Sequence, residues 1–455
     1  MRQLAILTLL VIFAPLLALA GHGAEPTLPK PVQDQDFRRY SAAQVKLGQL
    51  LFYDRVLSGT YRVSCATCHN PDRAGSNGFP LDRKTGFEVD DLAINGLPLY
   101  EALKPSAKHA PALFNLGAKE FTTMFGDGRV ARRTDGTFLS PAGEDLPTGL
   151  QDVLAVQALF PAVTGDELVG TVDNDVKAVA HLGNNAVWQA LTGRVQNLPE
   201  YWPFFQNAYP ELKSLGEINI THIANALSAF VGTEWRSDTS PFDAYLRGDK
   251  AALTQSQLAG LNLFYGKAQC SSCHSGPFQT DHDFHAVATP LWRFDVDFFA
   301  DSGEGGESGD GDGDGEGGEA GGKAGFDLHL DRSELTGRDA DKYRRRTPSL
   351  RNVEFSAPYG HAGSFGTLPD FVKAHLDPAE GLQGFVAERT GGRPPPVEVA
   401  ATVADLKKRN SLPPVALSKT EFEDLIEFLK SLSQADALSG KLRRPEMVPS
   451  SLALD

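Results

Sequence analysis

Two stretches of this 455-residue chain, "SCATCHN" (64–70) and "CSSCHSGPF" (270–278), consume all four of its cysteines, and both carry Cys-x-x-Cys-His. Two thiols at this spacing with an imidazole directly after them suit covalent attachment of a c-type haem. The sulfurs of Cys65 and Cys68, and of Cys270 and Cys273, form thioethers to the vinyl groups, and His69 and His274 reach the iron as proximal ligands. A Cys₄ zinc site leaves both histidines unexplained, and a redox Cys-x-x-Cys rarely occurs twice with His following each time. The expected cofactors are two covalently bound c-type haems.

The start of the chain bears on the same question. "MRQLAILTLLVIFAPLLALA" (1–20) has a basic residue, an apolar run and Ala18-Leu19-Ala20 at its end, the pattern of a cleaved signal peptide. The run is short for a spanning helix. The expected location is an oxidising compartment, the bacterial periplasm. Four cysteines there ordinarily suggest two disulfides, but the two adjacent histidines favour haem.

Hydrophobic residues at 41% and charged residues at 22% fit a globular chain, and the net charge of −15 argues against nucleic acid as a partner. Part of that acidity lies in "DSGEGGESGDGDGDGEGGEAGG" (301–322). It begins like a calcium loop at Asp310, Asp312, Asp314 and Gly315, but the twelfth position is Gly321 where a bidentate Glu is needed. Its composition predicts a disordered acidic loop.

The elements that must position the haem motifs read as helices between Gly/Pro-rich loops. "SAAQVKLGQLLFYD" (41–54) has Ser41 at a plausible N-cap and apolar residues at helical spacing; "TQSQLAGLNLFYGKAQC" (254–270) repeats the design before the second motif. A second echo joins "HAPALFNLGAKEFTTMFGDG" (109–128) to "RTPSLRNVEFSAPYGHAG" (346–363), each with x-Pro-x-Leu-x-Asn ahead of a Gly-rich turn. A duplicated haem-binding domain explains both echoes. The predicted fold class is mainly α, with a haem domain at 21–240, a second at 241–440 and a tail at 441–455.

In order along the chain, "LGQLLFYD", "SCATCHN", "HAPALFN", "FGDGR", "QALFP…DE", "SPFDAYLRGD", "CSSCHSGPF", "FHAVATP" and "RTPSLRNVEFSAPYGHAGSFGTL" resemble the bacterial di-haem cytochrome c peroxidases, including the MauG-like enzymes. The resemblance spans roughly 40–380. It implies two cytochrome-c-like domains in tandem, one haem meeting peroxide and the other passing electrons. It also places Gln157 and, ten residues later, Glu167 over the peroxidatic haem, the amide to fix peroxide and the carboxylate to move its proton.

Several positions depart from the family pattern. No histidine lies in 70–96, where better-known members carry one that blocks the peroxidatic iron until reduction, so the His69 haem is expected to have an open face. Fourteen residues past His361 the family places Met, or Tyr in MauG itself; this chain has His375, which implies bis-histidine ligation with His274. His361 itself reads as a structural residue near the haem. Gly126 stands where the peroxidases carry Trp between the haems, leaving Trp292 as an alternative aromatic for electron transfer. Calcium at the domain interface is a further family feature. The matching positions are His109, Ser356 and Pro358, and His109, in place of Asn, is a poor calcium ligand.

The resemblance thus implies a peroxidase reducing hydrogen peroxide with electrons from a small periplasmic cytochrome or cupredoxin. The alternative is a MauG-like enzyme that oxidatively modifies a partner protein; a plain electron carrier has no use for Gln157 and Glu167. Family members often form homodimers, and no motif here decides that point.

Overall fold

The Gly-x-x-Leu-Phe-Tyr signature that occurs at 48–53 and again at 260–265 explains how the helices pack. In the computed structural model, which describes residues 27–76, 93–94, 97–98, 109–170, 173–291, 332–438 and 444–454, both copies end a helix. The leader read at 1–20, the acidic insert at 301–322 and Trp292 lie outside the described residues. Helix α1 (Ala42–Tyr53) starts at Ser41, whose side chain accepts from Gln44 N–H. After α2 (Cys65–Cys68), the first half continues through α3 (Val153–Ala158), α4 (Asp175–Ala180), α5 (Asn184–Gln196), α6 (Trp202–Ala208) and α7 (Ile220–Glu234). The second half holds α8 (Pro241–Leu246), α9 (Gln255–Phe264), α10 (Arg332–Thr336), α11 (Leu368–Leu376), α12 (Pro378–Arg389), α13 (Val397–Arg409) and α14 (Lys419–Lys430). A capping box between Thr254 and Gln257 opens α9.

Helix α1 packs on α7 and α9 on α14, and a glycine makes each contact close. A Cβ on Gly48 would run into the Ala226 carbonyl, and one on Gly260 into the Asp424 carbonyl. The second echo has an equally physical basis. Asn115 and Asn352 both adopt left-handed backbone, with φ of 63° and 60°. Asn115 N–H donates to Trp235 O (2.7 Å) just past α7, and Asn352 N–H to Leu432 O (3.3 Å) just past α14. Two residues farther on, Ser237 N–H donates to Asn115 Oδ1 (2.8 Å) and Gln434 N–H to Asn352 Oδ1 (3.0 Å). The two halves therefore share one packing design. Gly260→Ala is expected to force α9 off α14 and destabilise the fold by about 1–3 kcal/mol, read as a lowered thermal midpoint.

One apolar core surrounds α1 and α7, with Leu47, Leu51, Phe230, Trp188 and Trp235 fully buried, while Trp202 is half-buried. A second core joins Phe242, Phe264, Leu425 and Phe428, and a smaller third one holds Leu382, Phe385 and Leu406. Strands are short. β1 (Ala93–Ile94) pairs with β2 (Leu97–Pro98), β3 (Thr123–Met124) with β4 (Val130–Arg132), and β4 with β5 (Phe138–Leu139). β6 (Phe284–Ala286) pairs with β7 (Arg344–Arg346), Phe284 opposite Arg346. The two ends of the described chain cross over: Leu28 packs on the second core, while Val448 and Leu454 join the first. Ser450 Oγ donates to Asp54 Oδ1 at 2.6 Å, and Arg444 lies 3.1 Å from Asp72. Among the described residues no helix is long and apolar enough to cross a membrane.

Candidate haem sites

The first motif forms the single turn α2, begun by Ser64, whose N–H donates to Thr67 Oγ1 at 2.8 Å. His69 N–H donates to Cys65 O (2.9 Å), which brings the imidazole alongside the two sulfurs. Its Nδ1–H donates to Gly75 O at 3.0 Å, fixing the tautomer that leaves Nε2 with its lone pair for a metal. Gly75 has φ of +74° and its α-carbon faces the Trp235 ring so closely that no side chain fits. Burial holds the His69 pKa below the ordinary imidazole value, against the hydrogen bond to Gly75. A ring held neutral with one nitrogen committed is what an iron ligand requires.

The second motif repeats this geometry. His274 N–H donates to Cys270 O (2.9 Å), and Nδ1–H to Gln279 O (3.1 Å). His375, near the end of α11, faces it with ring centres 6.5 Å apart at an interplanar angle of 50°. A metal ion held by both rings would fit that gap, given metal–imidazole bonds of about 2 Å each and the reach from each nitrogen to its ring centre. Burial, reinforced by the nearby His274, pulls the His375 pKa down to about 4. Burial likewise lowers His274. All three rings are half-buried by surface, yet they sit deep enough for burial to govern their protonation. The thiols are equally shielded: burial pushes Cys270 up to about 12 and Cys273 above its ordinary value. None of the four cysteines is in a disulfide. A cleft lined by Val287, Thr289, Phe365, Phe371, His375 and Leu382 opens beside the second pair. The sulfurs and imidazoles suit a covalently held haem at each motif, and the cleft adds room for one beside the second.

Gln157 lies at the end of α3, and its Oε1 is buried with no hydrogen-bond partner. Glu167 sits in the tight turn Gly165–Val169, at a non-helical φ of −118° and ψ of −112°. The single turn Pro161–Val163 joins α3 to it. Leu168 O accepts from Gly59 N–H at 2.6 Å, so the Glu167 turn is fastened to the segment leading into α2. Arg194 locks that segment from behind: it donates to Ser58 O (2.5 Å) and Gly59 O (2.9 Å) and pairs with Asp175. The turn is thereby tied to the first haem motif.

At the junction of the halves, His109 N–H donates to His361 O at 3.1 Å and its Nε2 lies 3.2 Å from Ser356 O. The ring thus takes as hydrogen-bond acceptor the carbonyl that the resemblance assigns to calcium. Pro358 follows a cis peptide bond at Ala357, whose carbonyl accepts from Ser76 Oγ at 3.4 Å. His109 and Ser356 are thus in direct contact, and Pro358 follows Ser356 by two positions. Gly126 faces open space, with nothing within 4 Å of where a Cβ would stand.

Other residues serve the sites without any signal in the motifs. Asp281 and His285 form a 2.7 Å pair whose ligand atoms lie within 4.8 Å of Cys273 Sγ, beside the second attachment point. Arg351 pairs with Asp243 at 2.6 Å with both side chains fully buried, and donates to Pro277 O (2.5 Å) in the loop after His274. Arg351 stands inside "RTPSLRN", but its partner is 108 positions away, and only the folded structure joins them.

Comparison with known proteins agrees with this architecture. Residues 42–251 match the family described as di-haem cytochrome c peroxidase. The chain is 26% identical over 419 residues to the methylamine utilization protein MauG of Methylorubrum extorquens, covering 92% of this chain and 86% of that protein. It is 27% identical over 406 residues to cytochrome c551 peroxidase of Pseudomonas aeruginosa, covering 85% and 92%. In fold it is similar to the diheme peroxidase BthA of Burkholderia thailandensis, with a TM-score of 0.57 at 21% identity over 94% of this chain and 95% of that one. Residues 42–251 belong to the di-haem cytochrome c peroxidase family, whose members are oxidoreductases acting on hydrogen peroxide, and the named relatives align over most of the chain.

Proposed function

We propose that this chain is an exported, periplasmic di-haem peroxidase with two cytochrome-c-like domains, 21–240 and 241–440, that reduces hydrogen peroxide to water. Cys65, Cys68 and His69 would hold the first haem, and Cys270, Cys273, His274 and His375 the second. The haems supply redox-active iron. The chain's residues do the positioning and the proton work. Gln157 Oε1 accepts a hydrogen bond from a peroxide O–H. Glu167 takes the proton from one peroxide oxygen and gives it to the other, which leaves as water. Two electrons, passed through the His274 site from a small cytochrome or cupredoxin, and two further protons complete the reduction to two waters.

The observation that carries this reading is the buried Gln157 Oε1 with no donor. An acceptor withdrawn from water is costly to leave unmatched, and a peroxide proton matches it. One observation favours the MauG-like alternative, in which oxidising equivalents modify a partner protein: His375 faces His274 where family peroxidases place a sulfur. Imidazole in that position lowers the iron potential and favours higher oxidation states.

The test is rapid mixing of the diferric protein with one equivalent of hydrogen peroxide, followed by absorption. A fast change in the bands of both haems is expected. Subsequent rapid oxidation of a reduced small cytochrome supports the peroxidase, and its absence supports the partner-modifying reading. Reaction only after prior reduction overturns the open face at His69. No reaction in either state leaves an electron carrier.

A further inference from the structure

Arg346 ends β7 at the meeting of the two halves. Its backbone N–H donates to Gly126 O (2.7 Å) and its Nε to Phe125 O (3.3 Å). Its Nη1 is buried with no hydrogen-bond partner. Carboxylates on the neighbouring elements are committed elsewhere: Asp127 to Arg129 (2.7 Å), Glu120 to His282 (3.0 Å) and Asp281 to His285 (2.7 Å). A guanidinium does not shed its proton in a protein, and burial alone draws this one down to about 10, with no anion opposing it. A buried cation without a counter-charge is strongly disfavoured. This one is placed as if an anion were to come to it.

The surroundings say where that anion would lie. Gly126, bonded to Arg346, leaves open space on its side-chain face. Directly after Arg346, Thr347 O accepts from Thr280 Oγ1 (2.7 Å), and the Thr280 N–H donates to Ser275 O (2.7 Å), one residue past His274. Across the junction the Phe125 ring lies 6.3 Å from Phe160, in the segment after Gln157. The guanidinium thus stands between the loops that serve the two haem motifs, nearer in the chain to the second.

We propose that Arg346 is the counter-charge for a propionate carboxylate of the haem held by Cys270, Cys273 and His274, and that its positive charge raises that haem's reduction potential. The proposal rests on the second site holding haem, and not on which substrate is oxidised.

The experiment is a spectroelectrochemical titration of the holoprotein and of Arg346→Gln and Arg346→Lys. Removing a cation beside the iron favours the oxidised state. The Gln variant is therefore expected to show an about tenfold weaker reduction equilibrium at the His274 haem, a fall of about 59 mV for one electron. The Lys variant should keep most of the wild-type value, and the His69 haem should move less. Unchanged potentials in the Gln variant, with two haems bound, overturn the proposal. Equal shifts for Lys and Gln also overturn it, since they mark a packing role. A wild-type potential that moves with added inorganic phosphate, and stops doing so in Arg346→Gln, overturns it in favour of a free-anion site. Arg346→Met provides the uncharged variant if the Gln protein does not fold. A haemochrome assay finding one haem in the wild type would sink the site assignment beneath the proposal, and so is distinguishable from its failure.

Discussion

Glu167→Gln is expected to slow the reaction with hydrogen peroxide by about 10²–10⁴-fold, the usual contribution of a positioned acid/base group. Gln matches Glu in shape and lacks the carboxylate that would carry the proton. The turn itself is independently secured. Glu167 N–H donates to Thr164 O (3.1 Å), Val169 N–H to Thr164 O (3.3 Å) and Gly59 N–H to Leu168 O (2.6 Å), none of which involves the carboxylate. Visible spectra of both haems and the thermal midpoint should therefore stay at wild-type values. Stopped-flow mixing measures the rate directly. An unchanged second-order rate would remove Glu167 from the chemistry, and with it the main sequence argument for a peroxidase.

The largest effect on stability is expected at Asp243. Its carboxylate is fully buried against Arg351 and accepts from Ser240 N–H (3.0 Å) and Ser240 Oγ (2.6 Å) at the start of α8. Replacing it by Ala strands a buried guanidinium, which costs about 3–5 kcal/mol. Arg351 also donates to Pro277 O, so its displacement would loosen the loop after His274. Asp243→Ala should thus make the absorption of the second haem, which stays covalently attached, change at lower denaturant than that of the first. The double replacement Asp243→Leu with Arg351→Met should recover much of the loss, because no unpaired charge remains. If denaturant midpoints show the single variant as stable as wild type, the pair does not clamp this loop.

Much of this organisation is legible in the sequence where the signal is local. Cys-x-x-Cys-His marks both motifs because covalent attachment demands adjacent residues, and Ser41 and Thr254 announce their helices because a cap acts over three positions. The duplicated Gly-x-x-Leu-Phe-Tyr also stands out, and the structure supplies its reason in the contacts of Gly48 with Ala226 and of Gly260 with Asp424. What the sequence conceals is non-local. Asp243 and Arg351, Arg346 and Gly126, His109 and Ser356 are each brought together from distant segments, and none of these residue types is distinctive alone. His109 is one of these: the ring reaches a carbonyl from the far half of the chain, Ser356 O at 3.2 Å.

The crossed ends of the chain bear on the order of assembly. Leu28 is seated on the second core, and Val448 and Leu454 on the first, with Ser450 bound to the buried Asp54 in the segment between α1 and α2. The first half therefore lacks part of its own core until residues 448–454 arrive. Like a belt passed through its own buckle, the polypeptide completes the packing around Asp54 only once its last described segment is present.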